Sequence, residues 1–336
     1  MGKIKHAAFT ICSNNYLGQA LALKKSLLQY NPDMAFFVIL VDKLSDEVNY
    51  SEFEPAIVLP VADIPTIDLQ DLLKRYYIIE LNTSVKPTVF KYLKDYYPQF
   101  EAIYYLDPDL YFYKSLSETN NFLQQKTAVL TPHILSPIPR DGLQPEENTF
   151  FRFGIYNLGF LGLNIKSKET TELLDWWEER VIKYGYDHPH KGYFVDQLWM
   201  THAPLFYEKV HILRSYNYNM APWNLHERSI SSIEGNAITL NDNSQLVFYH
   251  FSKLSEDPDA ISRKYDRYTL NDFPLLKQLY IDYKSELERC HYSEYKRIPI
   301  GYPVKMNLKP EPKQYTYVGK LLRKIGWRFI RWSEPN

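Results

Sequence analysis

The sequence is short of cysteine: there are two in 336 residues, Cys12 and Cys290. A pair so placed gives no disulfide framework, which argues against a stapled secreted scaffold and fits a reducing cytoplasm. An excess of charge of one sign is also missing. Thirty-nine Lys and Arg stand against 40 Asp and Glu, which argues against a general nucleic-acid binder, whose affinity rests on a basic surface. No apolar run approaches the roughly 20 residues that a membrane span needs. The opening MGKIKHAAFTICSNN has no apolar signal core, and His6 stands where the myristoylation pattern requires Ser or Thr. Low-complexity tracts and internal repeats are absent. What is present is globular, 45% hydrophobic and 24% charged, with the length for one large α/β domain or a domain with an extension. Aromatics are plentiful, with 29 tyrosines, a surplus that suits sugar-stacking surfaces and ordinary packing alike.

Apolar patterning predicts strands over AAFTIC (7–12), MAFFVILV (34–41), AIVLPV (56–61), TAVLTPH (127–133), NLGFLGLN (157–164) and LVFYHF (246–251). Helical spacing predicts helices over 16–30, where NPD supplies the stop, over 84–97 and over 168–185. Strand, helix and strand within the first 41 residues imply a βαβ unit on a parallel sheet. The Pro-rich polar segment 136–154 reads as a long functional loop, expected to order as a lid over a bound ligand. Past about residue 255 the strand pattern fades. We therefore expect a catalytic domain over 1–255 and a helical extension over 256–336. From Lys296 to Arg331 the chain carries ten Lys or Arg and one acid, Glu311. Within 318–332, Leu321, Leu322, Ile325, Phe329 and Trp332 share one face at helical spacing. Such a basic amphipathic helix either docks on an anionic membrane surface or packs its apolar face on the protein, and Gly326 weakens the helix itself.

The stretch IYYLDPDLYFY (103–113) sets two carboxylates inside an apolar, aromatic run. In an open parallel sheet, ligands gather beyond the carboxyl ends of the strands, and IYYL would deliver Asp107-Pro108-Asp109 there. Pro108 removes an amide donor and stiffens the bend. Carboxylates at i and i+2 can then share a hard cation whose shell is completed by phosphate oxygens. A polar turn capping a strand is the plain alternative.

Several segments fall in an order that has a parallel. ICSNNYLGQALALKKSL (11–27), VKPTVFKYL (85–93) with IYYLDPDLYFY, FGIYNLGFLGLN (153–164), GYFVDQLWM (192–200) and FYHFSKLSEDP (248–258) together resemble the GT-A nucleotide-sugar glycosyltransferases, especially the bacterial branch related to glycosyltransferase family 8. The resemblance spans roughly residues 7–268. It implies an α/β GT-A (Rossmann-like) fold with a mixed central sheet and a helical C-terminal extension. It also implies an enzyme that moves a hexose from a nucleotide-diphosphate sugar, a UDP-sugar first among donors, to a hydroxyl of a glycan or lipid-linked acceptor. Retention of configuration and a role in bacterial surface polysaccharide synthesis follow from the same likeness, as does a cytoplasmic location, peripheral at the inner face of the plasma membrane if the tail docks.

The resemblance also assigns residues. Asp107, Asp109 and His250 would hold Mn2+ or Mg2+, with the imidazole favouring manganese. Lys86, Lys253 and Asp107 would meet the donor's diphosphate, and Ser13, Asn14, Asn15 and Tyr16 its base and ribose. Asn157, Asp196 and Gln197 would face the donor sugar, with Asp196 on hydroxyls and Gln197 below the anomeric carbon, both on a helix start after Gly192. Gly159 would make room for the sugar. Each has a structural alternative, such as a helix cap for Asn14 or Asn15, a β-bulge for Gly159 and a core position for His250. After His250 the family pattern runs through a glycine and a KPW element, and FSKLSEDP departs from it. Trp223, Asn224 and His226 form a polar-aromatic cluster fit for acceptor, donor or core. Two rival readings remain: a non-catalytic sugar-binding protein on the same fold, and a haloacid-dehalogenase-type phosphatase. The phosphatase motif normally has a small residue soon after its second Asp, where this chain has Leu110-Tyr111.

Overall fold

A computed structural model describes residues 4–304. The basic tail expected over 318–332 lies outside the described residues. No helix among the described residues is long and apolar enough to cross a membrane.

The chain opens with His6–Cys12 (β1), Leu17–Tyr30 (α1), Met34–Leu40 (β2) and Ile57–Pro60 (β3), in which β1 and β2, and β2 and β3, pair in parallel. Asn31 ends α1 as the NPD signal predicts, its side-chain amide donating to Leu27 O at 2.9 Å. The helix expected over 84–97 is Lys86–Tyr96 (α2), with Pro87 in the first turn, where a missing amide costs nothing. It leads into Ala102–Leu106 (β4), which pairs in parallel with β1. Leu110–Phe112 (β5), Ala128–Pro132 (β6), Glu147–Phe153 (α3), Tyr156–Asn164 (β7), Lys168–Tyr184 (α4) and Val210–Ile212 (β8) follow, then Phe248–His250 (β9) and Pro274–Arg289 (α5). The central sheet has seven strands in the order β8-β6-β7-β4-β1-β2-β3. Only β7 runs against its neighbours β4 and β6, so the sheet is mixed as predicted.

Both faces of this sheet are covered, which is why its strands read as continuous apolar runs. Along β4, Ala102, Tyr104 and Leu106 enter one core while Ile103 and Tyr105 enter the other. The first core includes Leu17, Leu21 and Leu27 of α1 together with Leu276, Leu279, Tyr280, Tyr283 and Leu287 of α5. The second takes Val89, Phe90 and Leu93 of α2 and Leu173, Leu174 and Trp177 of α4. Cys12 and Cys290 are buried free thiols.

LVFYHF forms a strand over Phe248–His250, as its apolar run predicts. Its strand, β9, lies outside the central sheet and pairs antiparallel with β5, with His250 opposite Leu110. Pattern alone could not show this, since a short apolar run fits a central or a satellite sheet equally.

The segment expected as a lid is tied down and carries α3. Buried Arg267 pairs with Asp141 and donates to Leu143 O at 2.8 Å, Pro145 O at 3.0 Å and Pro139 O at 3.3 Å. At the other end, buried Glu227 accepts from Ser136 N at 2.6 Å and Leu135 N at 2.9 Å. Arg267→Ala would orphan three carbonyls at a cost of roughly 1–3 kcal/mol for each group left buried. Limited proteolysis should then cut 139–146 at least about tenfold faster than in the parent. Equal rates would mean that Arg267 does not clasp the loop.

Candidate metal and nucleotide-sugar site

The site begins where β4 runs out. Asp107 N donates to Gly159 O at 2.7 Å, Leu110 N turns back to Asp107 O at 3.1 Å, and Phe251 N reaches Asp109 O at 2.9 Å. The bend thus passes straight into β5, and the β5–β9 pair carries His250 to it. His250 Nε2 lies 3.0 Å from Asp109 Oδ1 and 3.7 Å from Asp107 Oδ2. The ligand atoms of these three residues lie within 4.8 Å of one another, the only such gathering of His, Cys, Asp and Glu among the described residues.

Electrostatics agree with the geometry. Burial works against charge on Asp109, yet the facing imidazole holds its carboxyl below the usual range. Burial likewise works against a protonated His250, and the two aspartates, Asp109 first, hold its pKa above the ordinary value. Facing carboxylates with an imidazole is a donor set suited to a divalent cation. Gly159 gives a second test of fit. A Cβ there would come within 2.6 Å of Asp107 Oδ2 and 2.7 Å of His250 Cε1, so the residue keeps the space beside the ligand atoms clear.

Around this core lie groups that orient it. Asn219, in the left-handed region at φ 60°, sets its Oδ1 3.4 Å from His250 Nδ1. Trp223 stands edge-on to His250 with ring centroids 5.0 Å apart. Asn224 is fully engaged, donating to His133 O and Asn219 O and accepting from Ala221 N, and His226 Nε2 lies 3.1 Å from Ser136 O. Asn157 is the second residue of β7, beside a break in that strand's register with β6, and its Oδ1 accepts from Gly159 N at 3.2 Å.

Lys86 and Asp196 meet each other. The ammonium, on a residue 2% exposed, lies 2.5 Å from Asp196 Oδ2, donates to Leu158 O at 3.3 Å and sits 3.8 Å over the Tyr105 ring. Burial keeps the Asp196 carboxyl above its ordinary pKa even against that cation. Gln197 is held at both ends of its amide: Leu158 N donates to Oε1 at 3.0 Å, and Nε2 donates to Phe153 O at 2.6 Å. The helix start expected here is absent. Gly192 at φ 77° and Val195 at φ 39° turn the chain, so Asp196 and Gln197 occupy a turn and helical geometry begins only at Trp199.

The first loop divides. Asn14 faces inward, donating from its backbone to Asp42 Oδ2 and from its amide to Lys43 O, and accepting from the Tyr50 hydroxyl at 2.7 Å. Ser13 is buried and Asn15 half-buried, while Tyr16 is 42% exposed. Partial burial and then the Asp109 carboxylate raise the Tyr16 pKa. Lys253, at φ 54°, is exposed and has no ion pair among the described residues, and its charge helps to lower Asp109. Sequence reasoning missed Tyr105, Asn219 and Asp42. An Asn that adopts positive φ leaves a weak trace in sequence, and a Tyr in an aromatic strand leaves none.

No family model matches the chain. Among curated proteins it is 27% identical over 272 residues to the uncharacterized protein YfnF of Bacillus subtilis strain 168, covering 81% of this chain and 89% of that one. It is 23% identical over 286 residues to YfnD of the same strain, covering 83% and 88%. Among solved structures it is similar to the galactosyltransferase LgtC in complex with donor and acceptor sugar analogues, with a TM-score of 0.51 and 14% identity over 84% of this chain and 95% of that one. The seven-stranded mixed sheet and this likeness give the chain the GT-A glycosyltransferase fold.

Proposed function

We propose that this chain is a metal-dependent glycosyltransferase that moves a hexose from a nucleotide-diphosphate sugar to a hydroxyl of a glycan or lipid-linked acceptor. One observation carries the reading: Asp107, Asp109 and His250 converge at the carboxyl end of a central strand of a GT-A sheet. On this reading they hold Mn2+ or Mg2+, and a UDP-sugar is the first donor to test. A divalent ion bound there neutralises charge developing on the leaving diphosphate.

The chain's own residues do the rest. Lys253, exposed beside Asp109, adds positive charge for the diphosphate, and Tyr16 offers a ring for the base. Asp196, held by Lys86, faces the sugar hydroxyls, and Gln197, pinned at both ends, lies below the anomeric carbon beside Asn157. With retention, the bond from the acceptor oxygen to the anomeric carbon forms on the face from which the carbon–phosphate oxygen bond breaks. The acceptor proton passes to the departing diphosphate. Residues 1–255 then supply the catalytic machinery and 256–336 an extension. The basic segment 318–332 would bring the site to an acceptor at the inner face of the plasma membrane, in bacterial surface polysaccharide synthesis.

Thermal unfolding with a panel of nucleotide sugars and Mn2+ tests the reading. A donor at ~100 times its dissociation constant adds about 2.7 kcal/mol of stability, and slow hydrolysis of that donor without acceptor should accompany the shift. No shift with any nucleotide sugar, and no hydrolysis, would overturn it.

A further inference from the structure

Tyr105 is the penultimate residue of β4, two before Asp107, and is 4% exposed. Its ring is fixed on two sides, edge-on to Phe9 at 5.3 Å and beneath the Lys86 ammonium at 3.8 Å. That ammonium is itself fixed by Asp196 and Leu158 O. From this clamped ring the hydroxyl donates to Asp107 Oδ1 at 2.6 Å. Hydrogen bonds from hydroxyl to carboxylate at 2.5–2.7 Å are among the strong, charge-assisted ones, and a phenol is protonated at neutral pH and able to give one. The other oxygen, Oδ2, lies 3.7 Å from His250 Nε2 in the space that Gly159 keeps open.

We infer that Tyr105 is a positioning residue for the cation site: its phenol engages Asp107 through Oδ1 and so presents Oδ2 toward Asp109 and His250. The inference rests on the proposed metal site and adds to it a cause for the orientation of its first carboxylate. It also links the two halves of the site, since the Lys86 that clamps the Tyr105 ring is the ion-pair partner of Asp196. Partners that hydrogen-bond a ligating carboxylate set its orientation and basicity, and their loss typically weakens metal binding by about 10- to 100-fold.

Mn2+ binding to the full chain, followed by the electron paramagnetic resonance signal of free Mn2+, tests this without any sugar donor. Tyr105→Phe keeps the ring under Lys86 and removes only the donor, so it should bind Mn2+ about 10- to 100-fold more weakly than the parent. Tyr104→Phe is the matched comparison. Tyr104 is equally buried, but its hydroxyl serves Asn120 Oδ1 at 2.6 Å and Thr119 on the opposite face of the sheet, and its loss should leave Mn2+ affinity unchanged. Asp109→Ala should lose binding. If Tyr105→Phe binds like the parent while Asp109→Ala does not bind, the positioning role is wrong and the metal site stands. Equal weakening in both tyrosine variants would mark a packing effect and also overturn the inference. If the parent does not bind Mn2+, or Asp109→Ala binds as the parent does, the metal site falls and the inference with it.

Discussion

Asp109→Ala is expected to reduce sugar transfer at least about a hundredfold and to remove its dependence on added Mn2+. The size follows from the role proposed for the carboxylate. A metal at a leaving diphosphate is worth several kcal/mol of charge stabilisation, and each 1.4 kcal/mol is tenfold in rate. The fold should survive. Asp109 tethers β9 through its backbone, accepting from Phe251 N, and alanine retains that bond. Its side chain is partly exposed at a bend, so truncation empties no core. Initial rates across a Mn2+ titration, beside thermal unfolding of the same variant, separate loss of the ligand from loss of the fold. Full activity in the variant, or in the parent with chelator, would sink the metal assignment.

The second large effect is on stability. Lys86→Met should cost about 3–5 kcal/mol, because it leaves the Asp196 carboxylate buried without its cation. The pairing is close and dry, at 2.5 Å between side chains that are 2% and 3% exposed. Replacing both partners, as in Lys86→Met with Asp196→Leu, should restore most of that loss, since well-packed apolar residues often match a buried pair. If Asp196 has the role proposed for it at the donor sugar, the double variant should still be inactive. Urea unfolding of the three proteins checks the first claim and rates of transfer the second. A loss under about 1 kcal/mol in Lys86→Met would mean that the ammonium is solvated, with the energetics of an exposed pair, and would leave it free for phosphate.

These two residues show how far the sequence could be read. The carboxylates of LDPD stood out because buried strands rarely carry charge one residue apart, and that local oddity marked the bend. His250 was legible only through its place in an ordered set of motifs, since nothing local shows that β9 would pair with β5. Lys86 read as a solvated or phosphate-facing lysine because its partner lies far along the chain, in a turn that the sequence suggested was a helix. That turn depends on left-handed backbone at Val195 as well as Gly192, and a β-branched residue gives no warning of positive φ. Tyr105 was invisible for another reason: among 29 tyrosines, nothing but the facing of its strand distinguishes it from Tyr104.

That facing has an evolutionary consequence. Side chains alternate with period two, so inserting or deleting one residue within 102–106 would send the β4 side chains on one side of the change to the opposite face. Between Tyr105 and Asp107 such a change would turn the phenol away from the carboxylate, and at any point in the strand it would drive side chains into the wrong core. Such a change cannot be absorbed gradually, because the sheet is packed on both sides. Changes in chain length among sequences that keep this site should therefore collect outside the strand, in exposed connections such as 241–243, while the spacing from Ala102 to Asp109 stays constant.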